Sequence, residues 1–104
     1  MNSRVISLLT TSNDQWQLAG DQLYIDMDLS RNNLVPRSQI KIGSAVIEIS
    51  EKLHTGCQKF SNRFGLDALK FISTPLGREL SLRGINCRII QSGTVRTGNV
   101  VKKI

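Results

Sequence analysis

A cysteine, a histidine and two cations fall in one short run, His54-Thr55-Gly56-Cys57-Gln58-Lys59-Phe60-Ser61-Asn62-Arg63-Phe64-Gly65. Thr55, followed three residues later by Gln58, fits a capping box, which predicts a short helix beginning almost at Cys57. In that frame the thiol sits in the first helical turn, where backbone N–H groups lack helical partners and the dipole end is positive. A free cysteine titrates near about 8.5, and a helix start with cationic neighbours brings that down to roughly 3.5–7.5. Lys59 and Arg63 are four apart and share one face of the predicted helix. This is the chemistry of a sulfur nucleophile or a soft-metal ligand. His54 adds a group able to accept or deliver a proton near neutrality. The plain alternatives are a capped strand end for His54 and a solvated helix face for Lys59 and Arg63.

Other catalytic constellations fare worse. A Cys57–His54 thiol hydrolase has no evident third orienting group. The chain has one histidine and two cysteines without C-x-x-C spacing, which argues against a closed zinc site. Asp26 and Asp28 could form a carboxylate pair on one side of an alternating segment, but same-face residues on the solvent side of a strand are the commoner explanation.

The elements that must position Cys57 read as mainly β. The 104 residues suffice for one domain spanning 1–104. Eight glycines and many Ile and Val residues favour strands. Residues 4–10 form a compact apolar run, expected as a strand. Residues 11–17 are polar and expected as a loop, with Trp16 as a lid on the core edge. Leu23, Ile25, Met27 and Leu29 alternate with Tyr24, Asp26 and Asp28, predicting a half-buried strand. Pro36 marks a loop. Residues 40–42 and 45–49 flank Gly43-Ser44 as a tight hairpin or one bent strand. Residues 50–53 lead to the cysteine run. Gly65 ends its helix, residues 66–72 form a second helix with Leu69 and Ile72 inward, and Thr74-Pro75 caps a third. Residues 85–91 and 100–101 close the chain as strands, with Cys87 expected as a buried, inert core residue. The simplest architecture is a small, partly closed β-barrel with a helical insertion carrying Cys57. Its exposed edge strands make self-association, as a homo-oligomer, an expectation.

Net charge is +6. With aromatics at only 5%, no stacking platform for single-stranded nucleic acid is present, and a small anionic ligand fits better. No segment reaches the length of a membrane span, and residues 5–9 are too short for a signal-peptide core. A cytoplasmic, reducing setting is the expectation, with Cys57 kept as a thiol.

Several phrases carry a family resemblance. They are Gly20-Asp21-Gln22-Leu23-Tyr24-Ile25-Asp26 with Asp28-Leu29-Ser30 and Asn33-Leu34, and Ile40-Lys41-Ile42-Gly43-Ser44-Ala45-Val46-Ile47-Glu48-Ile49. The cysteine run follows. Leu82-Arg83-Gly84-Ile85 then leads to Gly93-Thr94-Val95-Arg96-Thr97-Gly98-Asn99-Val100. In order and spacing the chain resembles the MOSC domain, the C-terminal domain of molybdenum cofactor sulfurases. The resemblance implies a β-barrel-like fold and a role with sulfur and the molybdenum cofactor (molybdopterin). It places Cys57 as persulfide carrier or molybdenum ligand. It suggests Lys59, Arg63, Arg83 and Arg96 as cations for the pterin phosphate. A cysteine desulfurase or a molybdoenzyme is the implied partner, and any pyridoxal phosphate belongs to that desulfurase. Two departures are visible. Many members carry an upstream Gly-Asp-x-His-like segment, and this chain is expected to start after it. Many also have proline where Gly56 stands. A non-catalytic barrel used for protein contact is the rival reading.

Overall fold

The computed structural model describes residues 1–52 and 54–104. The chain opens with helix α1 (Ser3–Leu9) and a 3-10 helix over Asn13–Ala19. Strands β1 (Gln39–Ile42) and β2 (Ala45–Ile49) follow. Three helices come next, α2 (Gln58–Phe64), α3 (Leu66–Ser73) and α4 (Pro75–Glu79), then β3 (Cys87–Gln91) and β4 (Val101–Lys103). The four strands make one antiparallel sheet in the order β3-β2-β1-β4.

The fold is therefore mixed α/β, and two expected strands are replaced. Residues 4–10 lie in a helix because their apolar positions obey helical spacing. Val5 and Ile6 are buried, Leu9 packs beside them, and Leu8 is 75% exposed. A strand would send Val5 and Ile6 to opposite faces. Asn2 supplies the cap by accepting the Arg4 N–H at 2.7 Å. The polar stretch after it forms the 3-10 helix, and Trp16 packs on the core edge as expected. Residues 23–29 form no regular strand. The chain start takes their hydrogen bonds: Ile25 donates to Met1 O, Ser3 donates to Ile25 O, and Asn2 Nδ2 donates to Met27 O. One isolated bridge, Asn2 to Ile25, results. Ile25, Met27 and Leu29 still point into the core, whereas Leu23 is exposed and Tyr24 packs under the N-terminal helices, so the alternation has its predicted sidedness only from Ile25 onward.

The hairpin is as expected. Ile42 faces Ala45 across Gly43-Ser44, and Gly43 adopts a φ of 56°, which suits glycine. Thr74 caps α4 by accepting the Gly77 N–H at 2.9 Å, with Pro75 in the first turn. Residues 50–52 leave β2, and Ser50 N–H bonds to Asn86 O; Leu53 lies outside the described residues.

The expected barrel does not close. Among the described residues β3 and β4 are the two ends of the sheet and do not pair with each other. Every β3 residue is exposed, and a bulge between Val46 and Ile47 shifts its register on β2. The core divides in two. Leu29, Leu34, Ile40, Ile42 and Ile49 pack on one sheet face. Met1, Val5, Ile6 and Ala19 pack under the N-terminal helices, with Phe64 and Leu82 added. No helix among the described residues is long and apolar enough to cross a membrane.

An open sheet makes its own prediction. Ile40 is 1% exposed and Ile89 is 68% exposed. Urea denaturation of Ile40→Ala is expected to show a loss of about 2–5 kcal/mol. Ile89→Ala should change stability by about 0.5 kcal/mol or less. Equal losses at both positions contradict the open sheet.

Candidate functional site

The approach to Cys57 is fixed by a close contact. A Cβ on Gly56 would stand 2.5 Å from Leu69 Cδ1 and 2.8 Å from Ile72 Cδ1. Only glycine lets this segment press onto α3 at that distance. Cys57 is then the N-cap of α2, in extended conformation, and Ser61 donates to its carbonyl at 3.1 Å. The predicted capping box does not form: the N-cap is Cys57, two residues after Thr55, and Gln58 Nε2 donates to Asn62 Oδ1 instead. The outcome for the sulfur is the one anticipated. Cys57 is fully exposed, and its pKa is lowered chiefly by the Phe60 amide and then by the Lys59 amide. The thiol makes no capping hydrogen bond; it is the anion that these N–H groups favour. Desolvation opposes them, and the charges of Arg83 and then Lys59 add smaller lowering contributions.

Arg83 lies behind the thiol and joins the two halves of the chain. Its Nη1 donates to Asp21 Oδ1 at 2.9 Å and its Nη2 to Ala19 O at 3.0 Å. The guanidinium also lies 5.2 Å over the Phe60 ring, and Phe60 packs on Phe64 at 4.9 Å. The Arg83 and Asp21 side chains are 12% and 11% exposed. Gly84, with a φ of 114°, lets three groups crowd together. A Cβ there would come within 3.1 Å of Asp21 Oδ2 and 3.5 Å of His54 Nδ1.

His54 is half-buried beside this pair. Its Nδ1 is shut off from solvent and has no hydrogen-bond partner among the described residues. Burial lowers its pKa most, and Arg83 lowers it further against the pull of Asp21. The imidazole is thus neutral at neutral pH. Asp21 bonds to Arg83 and not to His54, so no Cys–His–Asp relay is assembled.

Of the residues proposed from sequence, Cys57, Lys59, His54 and Arg83 influence one neighbourhood. Arg63 is engaged elsewhere, since its Nη1 donates to Leu18 O at 2.9 Å and ties α2 to the 3-10 helix. Arg96 sits in the loop before β4, its N–H bonded to Asn99 Oδ1, beside the β1–β2 turn. It lines no cavity with the others. Asp26 pairs with Arg4 and Asp28 accepts the Ser30 N–H, so the two aspartates do not act together. Cys87 is not the buried core residue expected. It is exposed on β3 because the sheet ends there, and partial desolvation of its thiol raises its pKa.

Two cavities meet at His54. The smaller, of about 100 Å³, lies between the end of β2, the segment Thr55-Gly56, and the α3–α4 corner. The larger, of about 550 Å³, is an apolar groove along the sheet, walled by Ile25, Ile47, Ile85 and Ile89. Asp21, Asn86 and Cys87 are among its polar margins. Cys57 follows Gly56, which lines the smaller one, and does not itself line either cavity. Sequence reasoning missed Asp21 as the anchor of Arg83, because the partners are 62 residues apart. It also missed the cations of the smaller cavity.

Among the described residues no three His, Cys, Asp or Glu side chains gather as a metal-binding group. No family model, curated protein or solved structure matches the chain.

Two outcomes follow from this geometry. Asp21→Asn leaves a nearly buried guanidinium without its counter-charge and is expected to lose about 3–5 kcal/mol in urea denaturation. A loss near zero means that the ion pair does not organise the site. For His54 the folded pKa lies below the unfolded one. Between the two values the unfolded chain binds more protons, so stability is lost as pH falls below about 6.5. Melting temperature against pH should therefore fall less steeply on the acid side for His54→Gln than for the wild type. Parallel acid limbs contradict a buried neutral imidazole.

Proposed function

We propose that this chain is a MOSC-like domain that handles sulfur, with the Cys57 thiolate as its carrier. The observation that supports this reading is an exposed thiol whose pKa is lowered by the Phe60 and Lys59 amides, with Arg83 behind it. Such a sulfur is reachable and biased toward its anion, which is what attack requires.

The step balances without a further reagent. Cys57 Sγ attacks the outer sulfur of a donor persulfide, the donor S–S bond breaks, and the donor leaves as a thiolate. Cys57 then holds the persulfide. The donor is a partner such as a cysteine desulfurase, whose pyridoxal phosphate stays with that partner. His54, neutral and proton-poor, accepts a proton from any protonated incoming thiol. Exposure of Cys57 suits delivery from one protein to another.

The same thiolate fits a second role within this reading. A metal brought in by an organic cofactor needs few protein donors, and a soft thiolate suits molybdenum. When bound, the molybdenum cofactor would supply oxygen- or sulfur-transfer chemistry at its metal. Cys57 would hold the metal, and Lys59, two residues on, would offer positive charge to the cofactor's negative groups. The rival reading, a non-catalytic interaction module, is favoured by one observation: the sheet leaves its apolar groove open.

Alkylation by iodoacetamide against pH separates these readings. Cys57 should react with a midpoint below that of free cysteine, and Cys87 with one above it. After incubation with a desulfurase and cysteine, cyanolysis should release sulfur from the wild type and from Cys87→Ser, and none from Cys57→Ser. A Cys57 midpoint at or above free cysteine, or persulfide loaded on Cys87 instead, overturns the carrier role.

A further inference from the structure

The smaller cavity has a charge distribution that the sulfur chemistry does not use. Arg31, Lys52 and Arg78 line it together with Arg83. Arg83 is neutralised by Asp21 at 2.9 Å. Glu51, the lining carboxylate, is held by Arg37 at 3.0 Å. Arg31, Lys52 and Arg78 have no side-chain hydrogen bond or ion pair among the described residues. Three like charges thus converge on one hollow without a counter-charge. Their mutual repulsion is unfavourable, and an anion removes it.

The convergence is built by the backbone. The Arg31 N–H donates to Glu79 O at 2.9 Å, which holds the Ser30–Leu34 turn against the end of α4, next to Arg78. A Cβ on Gly77 would meet Ile72 O at 2.7 Å and Phe71 O at 2.8 Å, so the α3–α4 corner needs glycine to close this tightly. Ser81 on the rim takes a left-handed φ of 54°, uncommon for a non-glycine residue. Beneath the cations part of the floor is apolar: Leu34, Ile49 and Ile72 are buried. Charge-assisted hydrogen bonds are stronger over such a floor than in water.

Size selects the ligand. One water needs roughly 10–15 Å³ of such space. About 100 Å³ therefore admits a tetrahedral oxyanion. Arginine forks suit phosphate oxygens. We propose that Arg31, Lys52 and Arg78 form a binding site for a phosphate-type dianion, either the free ion or the terminal group of a small phosphomonoester. The site goes beyond the sulfur-carrier reading and does not require Cys57 to react.

The test uses the full chain and two probes, inorganic phosphate and glycerol phosphate, titrated at constant ionic strength against chloride by calorimetry. Saturable binding at one site is expected. Arg31→Gln and Arg78→Gln should each weaken it about tenfold or more, and Cys57→Ser should leave it unchanged. All three cations are on exposed side chains, so melting temperatures without ligand should match the wild type; Lys52→Gln serves if either arginine variant fails to fold. Stronger binding of the ester identifies an organic phosphate as the source, and stronger binding of the free ion identifies the inorganic anion. No saturation, an equal response to chloride, or undiminished binding in the variants overturns the site. So does a duplex oligonucleotide that binds in preference to both probes. Loss of persulfide loading with phosphate binding intact would remove only the carrier role.

Discussion

The Asp21–Arg83 ion pair organises this molecule. It joins the turn after the 3-10 helix to the turn after α4 across 62 residues of sequence. Both side chains are nearly buried, so neither charge has much water to fall back on. Arg83 is further clamped by Ala19 O and the Phe60 ring. Phe60 belongs to the first turn of α2, the turn that begins at Cys57. One guanidinium therefore packs on the helix start and adds its charge both to the thiol, whose pKa is lowered chiefly by backbone amides, and to His54, whose pKa is lowered chiefly by burial. Gly84 is what allows the carboxylate and imidazole to approach so closely.

Local signals in the sequence are sound where local physics decides. The Gly43-Ser44 hairpin, the Thr74-Pro75 helix start and the α3 register all depend on residues a few positions apart. Residues 4–10 depart from expectation because a short apolar run carries little periodicity, and the cap that decides for helix is the single residue Asn2. Residues 23–29 show a different failure. From Ile25 onward their alternation sets the side chains correctly, yet Leu23 and Tyr24 depart from it, and the backbone partner is the chain start and not a sheet neighbour. For the site, the thiol environment is legible because it comes from amides two and three residues away. Arg63 escapes sequence reasoning because Leu18 O, 45 residues distant, takes its guanidinium. The cationic cavity is invisible in the sequence because Arg31, Lys52 and Arg78 come from three separate segments.

The open sheet gives the larger groove its character. With β3 at the end of the sheet, Ile89 and Cys87 face the groove without a further strand above them. The opposite end, β4, carries Lys102 and Lys103, charges of the kind that discourage strand addition. The two ends of the sheet are therefore unlike. A barrel closed as in the expected architecture would need the two ends to meet, and the apolar wall would then be interior. Here His54 stands between that wall and the cationic hollow.

The proposed chemistry turns on the ionisation of one sulfur. The most direct measurement is the ultraviolet absorbance of the thiolate followed against pH in a Cys87→Ser background, native and unfolded. The native midpoint is predicted to lie clearly below the unfolded one. Coincident midpoints, or a native value above the unfolded one, would contradict a thiolate held ready by the start of α2.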